Sequence, residues 1–96
     1  MQNQLLKPEE LEELIKTFPK WEHHDKHLKR NFEFHDFKEA FGFMTQVAEI
    51  AETLNHHPDW SNSWNEVLIS ISTHSAGGLT LLDFKFIEEV ELIIGV

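Results

Sequence analysis

At 96 residues and 41% apolar, the chain has the size and composition of one packed domain, residues 1–96, with a single core. Eight Lys+Arg against seventeen Asp+Glu give a formal net charge of −9, which weighs against a general affinity for nucleic acid or anionic membranes. The absence of cysteine excludes disulfides, thiolate nucleophiles and Cys-based zinc sites. No segment approaches the ~20 apolar residues of a membrane span, and the start lacks signal-peptide character, so a cytoplasmic protein is expected.

Residues 1–7 read as a loose lead-in. Pro8, Glu9 and Glu10 suit the first turn of a helix, and Leu11, Leu14, Ile15 and Phe18 then share one face until Pro19 ends it. Trp21 to Phe34 alternates as a hairpin, although no Asn-Gly or Asp-Gly pair marks its tip. Asp36 is placed to cap a long helix reaching about Asn55. Phe37, Ala40, Phe41, Met44, Val47, Ala48, Ala51 and Leu54 form its expected apolar stripe. Phe43 and Ile50 fall off that stripe and read either as an oligomer contact or as a broadening of the core face.

Pro58 disfavours helical geometry at His57 and stops this helix near His56. Asp59 to Ser63 reads as loop or short strand, and Trp64 to Thr73 as a strand with Val67, Ile69 and Ile71 on one face. Ala76-Gly77-Gly78 is a tight connection. Thr80 then caps a final helix whose inward face carries Asp83, Phe86, Ile87, Val90 and Ile94. The order α-β-β-α-β(-β)-α predicts an α+β fold, an antiparallel sheet with helices packed on one face.

The residues that carry chemistry are Glu52, His56-His57-Pro58, Trp60 and Trp64, His74 and Asp83. Histidine gives and takes protons near neutral pH, so three of them with carboxylates and aromatics nearby suit proton transfer on a small planar substrate. His56 lies at a helix C-terminus, where the dipole favours a cation, with Glu52 one turn earlier on the same face; it is a plausible proton donor. His57, held extended by Pro58, would point elsewhere and orient the substrate. His74 precedes a Gly-rich loop and could face His56 across a cleft.

Plainer readings stand beside these. His-His-Pro also serves as a helix stop, and His74 as a polar strand end. Thr80-x-x-Asp83 is similar to a capping box, yet Asp83 also faces inward, where a histidine would serve as its partner. Three histidines and a carboxylate could hold zinc, but adjacent histidines rarely ligate one ion and ligand-spaced motifs are absent, so no metal is expected. His23, His24, His27 and His35 read as a solvated hairpin surface. Trp60 or Trp64 could wall a flat ligand beside His-His-Pro.

Together, Glu52, His56-His57-Pro58, Trp64, His74 and Asp83, with Ser72-Thr73-His74 and Ala76-Gly77-Gly78-Leu79-Thr80, resemble the pterin-4a-carbinolamine dehydratase family. The resemblance extends through the Phe-rich stretch Asn31–Ala48 and the final helix. It implies dehydration of 4a-hydroxytetrahydropterins to quinonoid dihydropterins, with His56 and His74 as acid/base residues and His57 also binding substrate. Further contacts are implied for Pro58, Thr73, Ser75 and Ala76, with Glu52, Trp60 and Asp83 in support. It also implies no cofactor, a homodimer or homotetramer, and a functional link to an aromatic amino-acid hydroxylase. Two positions vary from well-known members: Asn55 stands where Asp often precedes His-His-Pro, and Ala76 where some carry Cys. Some relatives act instead as dimerisation cofactors or assembly factors, so a binding protein of another class is the main alternative, and a metal-dependent hydrolase a distant third.

Overall fold

The computed structural model describes residues 4–95. It contains helix α1 (Pro8–Thr17), strands β1 (Glu22–His24) and β2 (His27–Glu33), helix α2 (Phe37–Leu54), strands β3 (Asp59–Ser63) and β4 (Glu66–Ile71), and helix α3 (Leu81–Ile94). The strands form one antiparallel sheet in the order β1-β2-β4-β3. The α+β order expected from the sequence is the one observed.

Each helix start follows from its local chemistry. Lys7 N–H donates to Glu10 Oε1 (3.0 Å) ahead of Pro8 in α1, and Glu39 N–H donates to Asp36 Oδ1 (2.9 Å) at the start of α2. The lead-in is better held than expected, because Leu6 N–H bonds the Leu79 carbonyl at 3.0 Å. Residues 1–3 of that lead-in lie outside the described residues. The β1–β2 hairpin closes over Asp25-Lys26, with Asp25 at φ 54°; aspartate tolerates this left-handed region, which replaces the missing glycine turn.

Strand alternation builds the core. Leu28 and Phe32 of β2 and Val67, Ile69 and Ile71 of β4 are buried on one face. Ala40, Phe43, Val47 and Ala51 of α2 and Phe84, Phe86, Ile87 and Val90 of α3 complete the cluster. Each such large side chain contributes roughly 1.5–3 kcal/mol by leaving water. α2 packs on β4 and on α3, while Phe18, just after α1, meets Phe84 of α3 at 6.2 Å between ring centroids.

Two readings of the pattern are corrected here. Phe37 and Phe41, placed on the buried stripe, are exposed, whereas Phe43, placed off it, is buried between Phe32 (4.8 Å) and Phe34 (4.9 Å). Phe32 of β2 and Phe34 just after it turn the buried face of α2 toward Phe43. Ile50 is partly buried against the core as well, so Phe43 and Ile50 form no free strip. Trp64 is not in a strand. It lies in the two-residue turn between β3 and β4 with φ 50°, and β4 begins only at Glu66.

Candidate active site

α2 delivers the first two histidines by the way it ends. Asn55 adopts a left-handed conformation (φ 51°), and His56 N–H returns to the Ala51 carbonyl at 3.0 Å. Asparagine tolerates that conformation well, which gives the departure at position 55 a local role. The redirected chain buries His56, 9% exposed, and leaves the His57 ring half in solvent.

α3 supplies the partner of His56. Thr80 Oγ1 accepts the Leu82 N–H (3.2 Å), and Asp83 Oδ2 accepts the Thr80 N–H (2.8 Å), so Asp83 closes the cap of its own helix. Its other oxygen, Oδ1, lies 2.6 Å from His56 Nε2. Asp83 is fully buried, and the capping and inward readings of this residue are realised together.

The hydrogen bonds around Asp83 follow from its acting as a carboxylate acceptor. Thr73 Oγ1–H donates to Asp83 Oδ2 at 2.8 Å, so the 2.8 Å contact between the two threonine hydroxyls requires Thr80 to donate to Thr73. Oδ2 thus receives two donors, and a carboxylate Oδ1 needs the proton on His56 Nε2. Nδ1 is the ring nitrogen left for other chemistry.

Glu52 does not act on His56 as expected. Its Oε2 lies 2.6 Å from His57 Nε2, because the left-handed turn at Asn55 takes His56 out of helical register with Glu52. His57 therefore also has a carboxylate partner at Nε2, but in an exposed pair.

His74 is set by the strand end. Thr73 forms an isolated bridge with Gly78, and its carbonyl accepts the N–H groups of Ala76 (3.1 Å) and Gly77 (3.0 Å). The single 3₁₀ turn His74–Ala76 closes at Gly77, whose φ of 76° suits glycine. Thr73 is thereby held inside and His74 outside. The Thr73 hydroxyl donates to Asp83. His74 Nε2 lies 3.7 Å from Asp59 Oδ2, beyond hydrogen-bond range, with both side chains about three-quarters exposed. The buried and exposed histidines are linked through the chain: His56 to Asp83, Asp83 to Thr73, and Thr73 directly to His74.

The other candidates fall around this centre. Ser75 is exposed and Ala76 half-buried on the same 3₁₀ turn, and Pro58 is half-buried ahead of Asp59. Trp60, next to Asp59 on β3, is 37% exposed and is the tryptophan near His-His-Pro. Trp64 lies at the far end of β3, roughly 15 Å along the strand from Asp59. His27 was grouped with the solvated hairpin histidines. It is instead half-buried, with its ring 6.5 Å from that of His74 and Nδ1 3.4 Å from Ser70 Oγ. Only the β2–β4 register brings it there, and nothing local in the sequence signals it. Among the described residues, no three His, Asp or Glu side chains converge as metal ligands would.

Sequence comparison places this arrangement in a family. The model for pterin 4 alpha carbinolamine dehydratase matches residues 4–93. The chain belongs to this family. A Prochlorococcus marinus (strain MIT 9515) protein, provisionally named pterin-4-alpha-carbinolamine dehydratase, is 50% identical over 93 residues, covering 97% of each chain. A similarly named protein from a Synechococcus species is 46% identical over 89 residues, covering 93% of this chain and 96% of that one. The crystal structure of a transcriptional coactivator/pterin dehydratase from Brucella melitensis superposes with a TM-score of 0.89 at 40% identity, covering 94% of this chain and 98% of that one. A pterin dehydratase-like protein identified as a RuBisCO assembly factor in the alpha-carboxysome shares the fold alone, with a TM-score of 0.64 at 18% identity over 78% of this chain and 87% of that one.

Proposed function

We propose that this member of the pterin dehydratase family converts 4a-hydroxytetrahydropterin to quinonoid dihydropterin and water, using His56, His57 and His74. The reaction breaks the C4a–O bond, and the hydroxyl leaves with a proton from a general acid. A base takes the N5 proton, and the N5–C4a double bond forms, so one proton is given and one is taken. His56 and His74 exchange these protons and His57 orients the ring, while Pro58, Ser75 and Ala76 line the approach. Thr73 acts from behind by holding Asp83, Glu52 holds His57, and Trp60 offers a flat wall.

The observation that carries this reading is the buried His56–Asp83 pair, completed by Thr73 and Thr80. A helix stop needs no histidine buried against a carboxylate that two further donors already hold. The reaction needs no metal or organic cofactor. In the cell it would serve pterin recycling beside an aromatic amino-acid hydroxylase, in the cytoplasm, with the protein a homodimer or homotetramer. Among the described residues no helix is long and apolar enough to cross a membrane.

The test is the dehydration rate of freshly generated 4a-hydroxytetrahydropterin with and without the protein. Acceleration that disappears in His56→Ala/His74→Ala supports the reading; equal activity in that double variant sinks the assignment. A second reading, a partner-binding or dual role, draws on the Brucella melitensis protein, described as both coactivator and dehydratase. Folded protein that accelerates no pterin would favour it.

A further inference from the structure

The face of the sheet turned away from the helices carries a groove of about 340 Å³ that begins beside His74. Asp59, 3.7 Å from His74, and His27, whose ring centroid is 6.5 Å from that of His74, line its near end, with Ser61 and Ser70 beyond them. Register puts Asp59, Ser70 and Lys29 in one row across β3, β4 and β2. A second hollow of about 550 Å³, bounded by Lys20, Glu22 and Arg30, shares Lys29 and Leu68 with it.

The charges along this path are nearly all engaged. Arg30 is paired with Glu91 at 2.7 Å, Glu22 is bonded to His24 at 2.9 Å, and Asp59 faces His74. Glu22 is the cross-strand neighbour of Lys29, yet no carboxylate among the described residues lies within ion-pair range of Lys29 or Lys20. In a chain of net charge −9, two unpaired ammonium groups, one half-buried, on a path leading from a candidate catalytic histidine form a local attraction for anions.

We propose that this groove takes the side chain at C6 of the pterin, and that Lys29, with Lys20 beyond it, selects a hydroxylated chain ending in a phosphate. The inference rests on the dehydratase reading above and names its substrate class. Ser70 and Ser61 supply hydroxyls along the floor for the polyol portion, and Leu68 on the same face supplies apolar contact.

The experiment compares three 4a-hydroxytetrahydropterins on the wild-type protein: 6-methyl, 6-trihydroxypropyl, and the terminal phosphate ester of the latter. The phosphate ester should exceed the triol roughly fivefold in kcat/KM, through KM, and the advantage should shrink with added salt. Lys29→Gln should bring that ratio to about one, while Lys38→Gln, on the exposed start of α2, should leave it as in the wild type. Equal kcat/KM for triol and phosphate ester, with the 6-methyl compound still turned over, would overturn the groove assignment and leave the dehydratase reading intact. Failure on all three compounds would overturn the dehydratase reading and the groove with it.

Discussion

The two ends of the candidate site are built on opposite principles. At the His56 end, one carboxylate with no solvent exposure receives donors from Thr73, Thr80 and His56 and simultaneously caps α3. At the exposed end, His57 is bonded to Glu52 and His74 only stands near Asp59, with all four side chains open to solvent. A buried network is costly to leave half-satisfied, so it holds one geometry; exposed pairs are screened, so they leave their members free to adjust. The difference suggests a division in which one histidine is fixed before substrate arrives and the other two close on it.

The largest effect should come from breaking the fixed end. Asp83→Ala removes the acceptor of three buried donors and the cap of α3, and should cost about 3–5 kcal/mol in urea unfolding. Asp83→Asn, close in size, should retain more stability but lower the dehydration rate at least tenfold, because an amide no longer holds His56 through a charge-assisted bond. A rate unchanged in Asp83→Asn would show that the pair serves the fold alone.

Thr73 tests the same network with a smaller perturbation. Thr73→Val keeps the volume but removes the hydroxyl between Thr80 and Asp83, for an expected loss of about 1–3 kcal/mol; Thr73→Ser should remain within about 1 kcal/mol of the parent. Equal stability of the two variants, measured by thermal or urea unfolding, would mean that water replaces the hydroxyl and that this end is less dry than its burial implies.

The same contrast explains what could be read from the sequence. Helix ends, the capping role of Asp83 and the core face of β4 depend on residues a few positions apart, and their side-chain chemistry announces them. What depended on distant pairing did not show. Phe43 is buried because Phe32 of β2 and Phe34 just after it pack on its ring, and His27 reaches His74 only through the β2–β4 register. Helical spacing alone pairs Glu52 with His56, whereas a single left-handed residue at Asn55 passes Glu52 to His57. Asn55 was visible as a departure from the family pattern, but its backbone conformation was not.

The smallest effects should lie at the exposed end, and their ranking is informative. Glu52 is at hydrogen-bond distance from His57, 2.6 Å, whereas Asp59 stands 3.7 Å from His74. Glu52→Gln should therefore reduce kcat/KM about threefold through the orientation of His57, and Asp59→Asn less than twofold, both with unfolding midpoints near the parent's. Steady-state dehydration assays on the two variants decide the order. If Asp59→Asn proves the more damaging, His74 must be drawn onto Asp59 when substrate binds, closing the 3.7 Å gap. That outcome would make the exposed end the part of the site that tightens during the reaction, while the His56–Asp83 pair stays as it is in the free protein.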